Sequence, residues 1–150
     1  MLVKVTLVGD RELQGKLDKL GKSLYDFGKE FRGIGRDLTN YYAEKPYASE
    51  GQIFGQRWKA LKPKYEEDKA KRYPGRGILV RTGKMRKNYT FTSSQSAVRI
   101  QNKTSYFIYH QSAKSRKKMP RRLLFAFNQE ILGFITKTIK TGIIERIRSV

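Results

Sequence analysis

The chain reads as an α+β protein with an N-terminal strand, a long amphipathic helix or helix pair, a small antiparallel sheet and a C-terminal helix. Three observations carry that reading. Apolar residues recur at alternating steps of four and three from position 13 to position 41, which keeps one stripe on one face of a helix. Two segments of strand-like composition, residues 89–92 and 97–101, flank the polar turn Ser93-Ser94-Gln95-Ser96, and strands joined by so short a turn pair antiparallel. Helical spacing returns after residue 124.

The elements run in order. Residues 2–8 alternate at Val3, Val5 and Leu7, the period of two that suits a strand. Gly9 and Asp10 end it, with Asp10 as the N-cap of the next element. The stripe then runs through Leu13, Leu17, Leu20, Leu24, Phe27, Phe31, Ile34, Leu38 and Tyr41. It predicts that Leu17, Leu20, Leu24, Phe27 and Phe31 are buried, in the core or in a subunit interface. Pro46 is expected to close the region. Gly21, Gly28 and Gly35 lie seven apart, and each costs roughly 1 kcal/mol against alanine in a helix interior. Either they form a small-residue seam along which another helix approaches, or one of them breaks the segment into two helices.

Residues 46–80 hold three of the four prolines and read as an extended connection with one short helix at 56–61. Residues 102–105 form a turn. The last helix is expected over 124–147, through Phe127, Ile131, Phe134, Ile135, Ile139 and Ile143.

A chain of 150 residues is the size of one domain, able to bury about 70% of its unfolded surface. The reading is a single domain over 1–150, with basic flexible segments near 62–78 and 113–122. No run approaches the roughly 18 apolar residues of a membrane span, and residues 1–10 lack the pattern of a signal peptide. The absence of cysteine removes disulfides, thiolate nucleophiles and thiolate metal sites together.

Charge is the strongest compositional signal. The net charge is +20, from 33 Lys and Arg against 13 Asp and Glu. Residues 1–50 are nearly balanced, with nine basic and eight acidic side chains, whereas residues 51–150 hold 24 basic against five acidic. Two clusters dominate: residues 57–87, with twelve basic and three acidic, and residues 114–122, with six basic and none acidic. Such asymmetry implies a polyanionic neighbour, either nucleic acid or an acidic protein surface. The second cluster, Lys114, Arg116, Lys117, Lys118, Arg121 and Arg122, has no apolar period and reads as a mobile or extended loop. It is the candidate contact for a partner or polyanion. Against phosphates it would act in a salt-dependent way, indifferent to base sequence.

The sequence points to no catalytic, cofactor or metal site. His110 is the single histidine. Amid aromatic residues it reads as a hydrogen-bonded packing element rather than as a general base, because nucleophilic catalysis wants an orienting carboxylate beside it. Glu66, Glu67 and Asp68 are consecutive, so they cannot converge on one ion as a two-metal site requires. Gly75-Arg76-Gly77 and Thr82-Gly83-Lys84 are too short for a phosphate loop and read as turns. Tyr106 and Tyr109 could stack bases, but tyrosines alternating with apolar residues are expected in the core.

Four spaced motifs remain: Phe54-Gly55-Gln56-Arg57-Trp58-Lys59-Ala60-Leu61, then Ile78-Leu79-Val80-Arg81-Thr82-Gly83-Lys84-Met85-Arg86, then Tyr106-Phe107-Ile108-Tyr109-His110-Gln111, and Pro120-Arg121-Arg122-Leu123-Leu124-Phe125. In this order they resemble the virion-morphogenesis (tail-completion) family of tailed bacteriophages. The resemblance makes Trp58, Thr82, Gly83, His110, Gln111 and Pro120 its motif residues. It implies a phage or prophage structural protein of the tail or head–tail junction, present in the virion and in the host cytoplasm during assembly. It also implies partners among tail or neck proteins, a homo-oligomer or ring, and no cofactor or membrane. The alternative that charge alone supports is a small non-specific nucleic-acid-binding protein.

Overall fold

The computed structural model describes residues 10–114, 116 and 119–149, and the strand expected at residues 2–8 lies outside them. In order come α1 (Asp10–Ser23), α2 (Gly28–Ala48), a 3-10 turn (Gln52–Phe54), α3 (Pro63–Arg72), α4 (Lys84–Lys87), strands β1 (Tyr89–Ser93) and β2 (Val98–Asn102), α5 (Phe107–Gln111) and α6 (Gln129–Arg148). The class is α+β, as the sequence predicts. β1 and β2 pair antiparallel from Tyr89 opposite Asn102 to Ser93 opposite Val98, and the hairpin lies against α2.

The long stripe is a helix pair. Leu24, Tyr25 and Asp26 turn their N–H groups back onto the end of α1, and Phe27 N donates instead to Gln95 O at 2.9 Å. Gly28 opens α2, its N–H received by the Asp26 carboxylate at 2.9 Å. The glycine seam serves the hairpin rather than a second helix. A Cβ at Gly35 would run into the Phe91 ring, whereas nothing lies within 4 Å of that position at Gly21. Pro46 does not close the region either. It sits fully buried in the last turn of α2, and the chain turns afterwards at Gly51, whose φ is +83°.

From Ile34 onward the stripe is core. Ile34, Leu38, Tyr42, Tyr47, Trp58, Val80, Met85, Tyr89, Leu124 and Ile131 form one buried cluster. Before that the expectation of burial is met only in part: Leu20, Phe27 and Phe31 are half-buried, but Leu17 is 57% exposed, and Leu13 and Leu24 are exposed too. The reason lies in placement, since the main neighbour of α1 is α6. That junction is polar, built on the Arg146 guanidinium. Its Nε donates to Ser23 O at 2.9 Å, Nη1 to Glu30 Oε1 at 2.7 Å and to Gly142 O at 2.8 Å, and Nη2 to Glu30 Oε2 at 2.9 Å and to Asp26 O. All five donors of the guanidinium are used, and it also covers the Phe27 ring at 4.3 Å. Gly142 permits this approach, because a Cβ there would meet the Glu30 carboxylate.

Two helix boundaries differ from expectation. The helix of the 46–80 connection is α3, not 56–61. Pro63 stands at its first turn with Glu66, and Lys69, Lys71 and Arg72 in its last, an arrangement that suits the fixed φ of proline and the helix dipole. Trp58, inside the range expected to be helical, is extended and buried. The final helix begins at Gln129 rather than 124, because Asn128 caps it by accepting from Ile131 N at 2.9 Å.

The segment before that cap buries Leu124 without a strand partner, and its carbonyls are met by side chains. Four successive carbonyls each receive a donor from a different element. Trp58 Nε1 donates to Leu123 O at 2.9 Å, Tyr89 Oη to Leu124 O at 3.4 Å, Gln111 Nε2 to Phe125 O, and Tyr42 Oη to Ala126 O at 2.9 Å. Gln111 Oε1 accepts in return from Leu124 N and Phe125 N, both at 3.1 Å. This seam ties the motifs around Trp58, Gln111 and Leu123 into one unit and anchors residues 120–122 directly beside it.

Candidate functional site

A groove of about 810 Å³ runs between α3, the turns after it, α4, α5 and the residues Arg116, Met119, Pro120 and Arg122. It brings together the two basic clusters, which lie far apart in the sequence. Lys59, Lys62, Lys69, Arg81, Lys84, Arg116 and Arg122 line it, and among the described residues no Asp or Glu does. Aliphatic side chains, among them Leu79, Met85 and Met119, form part of the wall with Tyr65 and Tyr106.

Local structure sets each cation. Lys69, on the inner face of α3, is 7% exposed, and its Nζ donates to Arg76 O at 2.8 Å and to Gly77 O. Burial pushes its ammonium pKa down, opposed by the nearby Glu66 charge. The carbonyls it holds belong to a pair of turns. Gly75 has φ +70°, and Leu79 sits at +62° inside the turn closed by Val80 N donating to Gly77 O at 3.0 Å. A leucine in the left-handed region is strained, and this one lines the groove. Thr82-Gly83 is the turn the sequence predicts. Gly83, with φ +78°, starts α4, which buries Met85 and leaves Lys84 exposed on the groove.

Arg122 is 6% exposed. Its Nε and Nη2 donate to Lys59 O at 3.3 and 2.8 Å, and its backbone N donates to His110 O at 3.1 Å. Burial lowers its pKa, with Tyr65 acting the other way, but a guanidinium stays charged. His110 is 8% exposed, and its Nδ1 finds no hydrogen-bond partner among the described residues. Burial, then Arg122 and Arg116, push its pKa below the usual imidazole value, so the ring is neutral at pH 7. The unfolded chain binds that proton more readily, so stability is lost as pH falls below about 6.5.

The remaining motif residues divide in two. Trp58 and Gln111 hold the seam behind the groove, whereas Thr82, Gly83, His110 and Pro120 line it. Among the expected contact residues, Lys114 and Arg121 are exposed outside the lining, and Arg121 Nε donates to Gln111 O at 3.2 Å. Arg116 covers the Tyr109 ring at 4.4 Å. Lys117 and Lys118 lie outside the described residues. Tyr106 and Tyr109 are not core, because α5 turns Phe107 and His110 inward and leaves both tyrosines exposed. Glu66, Glu67 and Asp68 are exposed on α3, Asp68 pairing with Arg72 at 3.3 Å. Among the described residues no group of three or more His, Asp or Glu is placed to hold a metal ion. The sequence reading missed Lys59, Lys62, Lys69, Arg81 and Lys84 as members of one site. The density of charge at 57–87 was its only signal.

The fold and the groove define a small basic α+β protein whose distinctive surface is a recess of cations. The chain matches the family model of phage virion morphogenesis over residues 8–142 and belongs to that family. Membership places it in the assembly of phage particles, among other virion proteins. No curated protein and no solved structure matches the chain at a significant level. Among the described residues no helix is long and apolar enough to cross a membrane.

Proposed function

We propose that the protein is a non-enzymatic structural subunit of tail completion or head–tail joining, acting in the virion at the tail or its junction with the head. It works through fixed subunit interfaces, as a homo-oligomer or ring, and through a basic surface that grips an acidic neighbour. The observation that carries this reading is the convergence of both basic clusters on one groove with no carboxylate in its lining among the described residues. Solubility needs no such convergence, whereas a docking surface does. Lys114, Arg116 and Arg121 extend that surface along the loop, and Arg122 holds its wall. The net charge of +20 favours one second reading, a non-specific nucleic-acid-binding protein whose affinity falls steeply with salt.

A phage carrying a stop codon early in this gene tests the proposal. DNA-filled heads and finished tails should accumulate unjoined, and purified protein should restore infectivity to the lysate. Joined, infectious particles at the normal level would contradict the assembly role, and a lysate without packaged DNA would favour the second reading.

A further inference from the structure

Two of the groove's cations are buried without an ion pair. Lys69 and Arg122 are 7% and 6% exposed, yet neither makes a salt bridge among the described residues. Both spend their hydrogen bonds on backbone carbonyls: Lys69 on Arg76 O and Gly77 O, Arg122 on Lys59 O. Carbonyl dipoles satisfy donors but do not neutralise charge, and a buried cation without an anion is costly. Arg122 Nη1 makes no hydrogen bond among the described residues. Lys62 and Lys84 stand exposed on the same groove. The site is therefore built with cations at two depths and, among the described residues, lacks their counter-charge.

We propose that the groove is the docking site of an acidic peptide segment from a neighbouring virion protein, whose carboxylates pair with Arg122 and Lys69 in the recess and with Lys62 and Lys84 at its rim. This rests on the assembly reading and names the chemistry of the partner. The volume, about 810 Å³, is that of a recess for a narrow ligand, too small to seat a duplex. The wall favours a peptide over single-stranded nucleic acid. Strand binders line up aromatic faces on which bases stack; here two tyrosine rings, Tyr65 and Tyr106, stand among the apolar side chains of Leu61, Leu79, Met85 and Met119. The Tyr109 ring close by is already covered by Arg116. Such a wall suits a segment that alternates carboxylates with apolar side chains.

Fluorescence anisotropy on the full chain at about 0.15 M salt tests this. The probes are a labelled octapeptide alternating glutamate with leucine, its lysine–leucine counterpart, and a labelled oligothymidylate of the same charge as the glutamate peptide. The variants are Lys62→Glu with Lys84→Glu in the groove, and Lys137→Glu with Lys140→Glu on α6. All four positions are exposed, and both pairs change net charge equally. The glutamate peptide should bind best. The groove pair should weaken it about tenfold or more, and the α6 pair less than about twofold. Equal weakening by both pairs, no binding of the glutamate peptide, or tighter binding of the oligothymidylate that the groove pair abolishes would each overturn the proposal. If the peptide fails but the stop-codon phage still leaves heads and tails unjoined, the groove assignment falls and the assembly role stands.

Discussion

Tyr42→Ala should destabilise the protein by about 3–5 kcal/mol, the range for removing a large buried aromatic side chain. Tyr42 is among the fully buried side chains. Its ring stacks on Phe125 at 4.2 Å, on Tyr89 at 6.1 Å and on Phe54 at 6.5 Å, and meets Tyr41 edge-on at 5.8 Å. The cavity left by alanine would lie where α2, the 3-10 turn, β1 and the segment before α6 all meet, so none of them can close it alone. Tyr42→Phe keeps the rings and loses only the hydroxyl that donates to Ala126 O. It should cost about 1–2 kcal/mol, the penalty of one unsatisfied buried carbonyl. Urea unfolding midpoints of the three proteins at pH 7 check both values. Burial also pushes the Tyr42 phenol up to about 12. The folded state holds this proton more tightly than the unfolded chain, so the associated stability is present below pH 10 and lost as pH rises from there towards 12.

The second large effect belongs to Arg146. Arg146→Ala should cost about 3 kcal/mol at pH 7, because it leaves the Glu30 carboxylate, 8% exposed, buried without its counter-charge. The same change strips Ser23 O and Asp26 O of a donor, so the turn between α1 and α2 should loosen first. The hydrogen bonds from Arg146 hold the Glu30 carboxyl below its usual range, against the opposing effect of burial. A depressed carboxylate contributes stability that is present above the ordinary value near 4.3 and lost as pH falls through the folded value. In the variant the buried carboxylate has no cation, and its pKa moves the other way. Urea midpoints of wild type and variant should therefore differ most at pH 7 and draw together as pH falls below the ordinary carboxylate range. A gap that is constant with pH would mean that the guanidinium acts through its carbonyl contacts and not through Glu30.

The parts of the fold legible in the sequence are those fixed by local pattern. Strands β1 and β2 fall within one residue of expectation, since a polar turn between two short β-branched and aromatic runs leaves few other pairings. Gly83 and Gly75 mark turns by their positive φ. The amphipathic stripe predicts helices but not which half of it the chain covers. Leu17 and Leu38 occupy equivalent stripe positions, but Leu17 lies on α1, whose main neighbour is α6, and Leu38 on α2, against which the hairpin packs. The α6 boundary was hidden because Leu124 and Phe127 continue the apolar spacing, whereas the chain there is held by Trp58, Tyr89, Gln111 and Tyr42 from distant elements. No local signal reports a long-range donor. The groove was hidden for the same reason. A run of lysines gives charge, but nothing in it says that Lys69 turns inward or that Arg122 reaches Lys59 O. Of the motif residues that carry the resemblance to the phage family, Trp58 and Gln111 are such long-range ties, and Gly83 starts the helix on the groove.

In the proposed role the chain joins virion parts by receiving an acidic neighbour in its basic groove. The most direct measurement is a reconstruction of the infectious virion by electron cryo-microscopy, at a resolution that traces side chains. Copies of the chain should stand at the tail end or the head–tail junction, with a neighbouring protein's carboxylates within salt-bridge distance of Arg122, Lys69, Lys62 or Lys84. A virion without the chain, or one in which the groove faces the DNA path and holds phosphates, would contradict it.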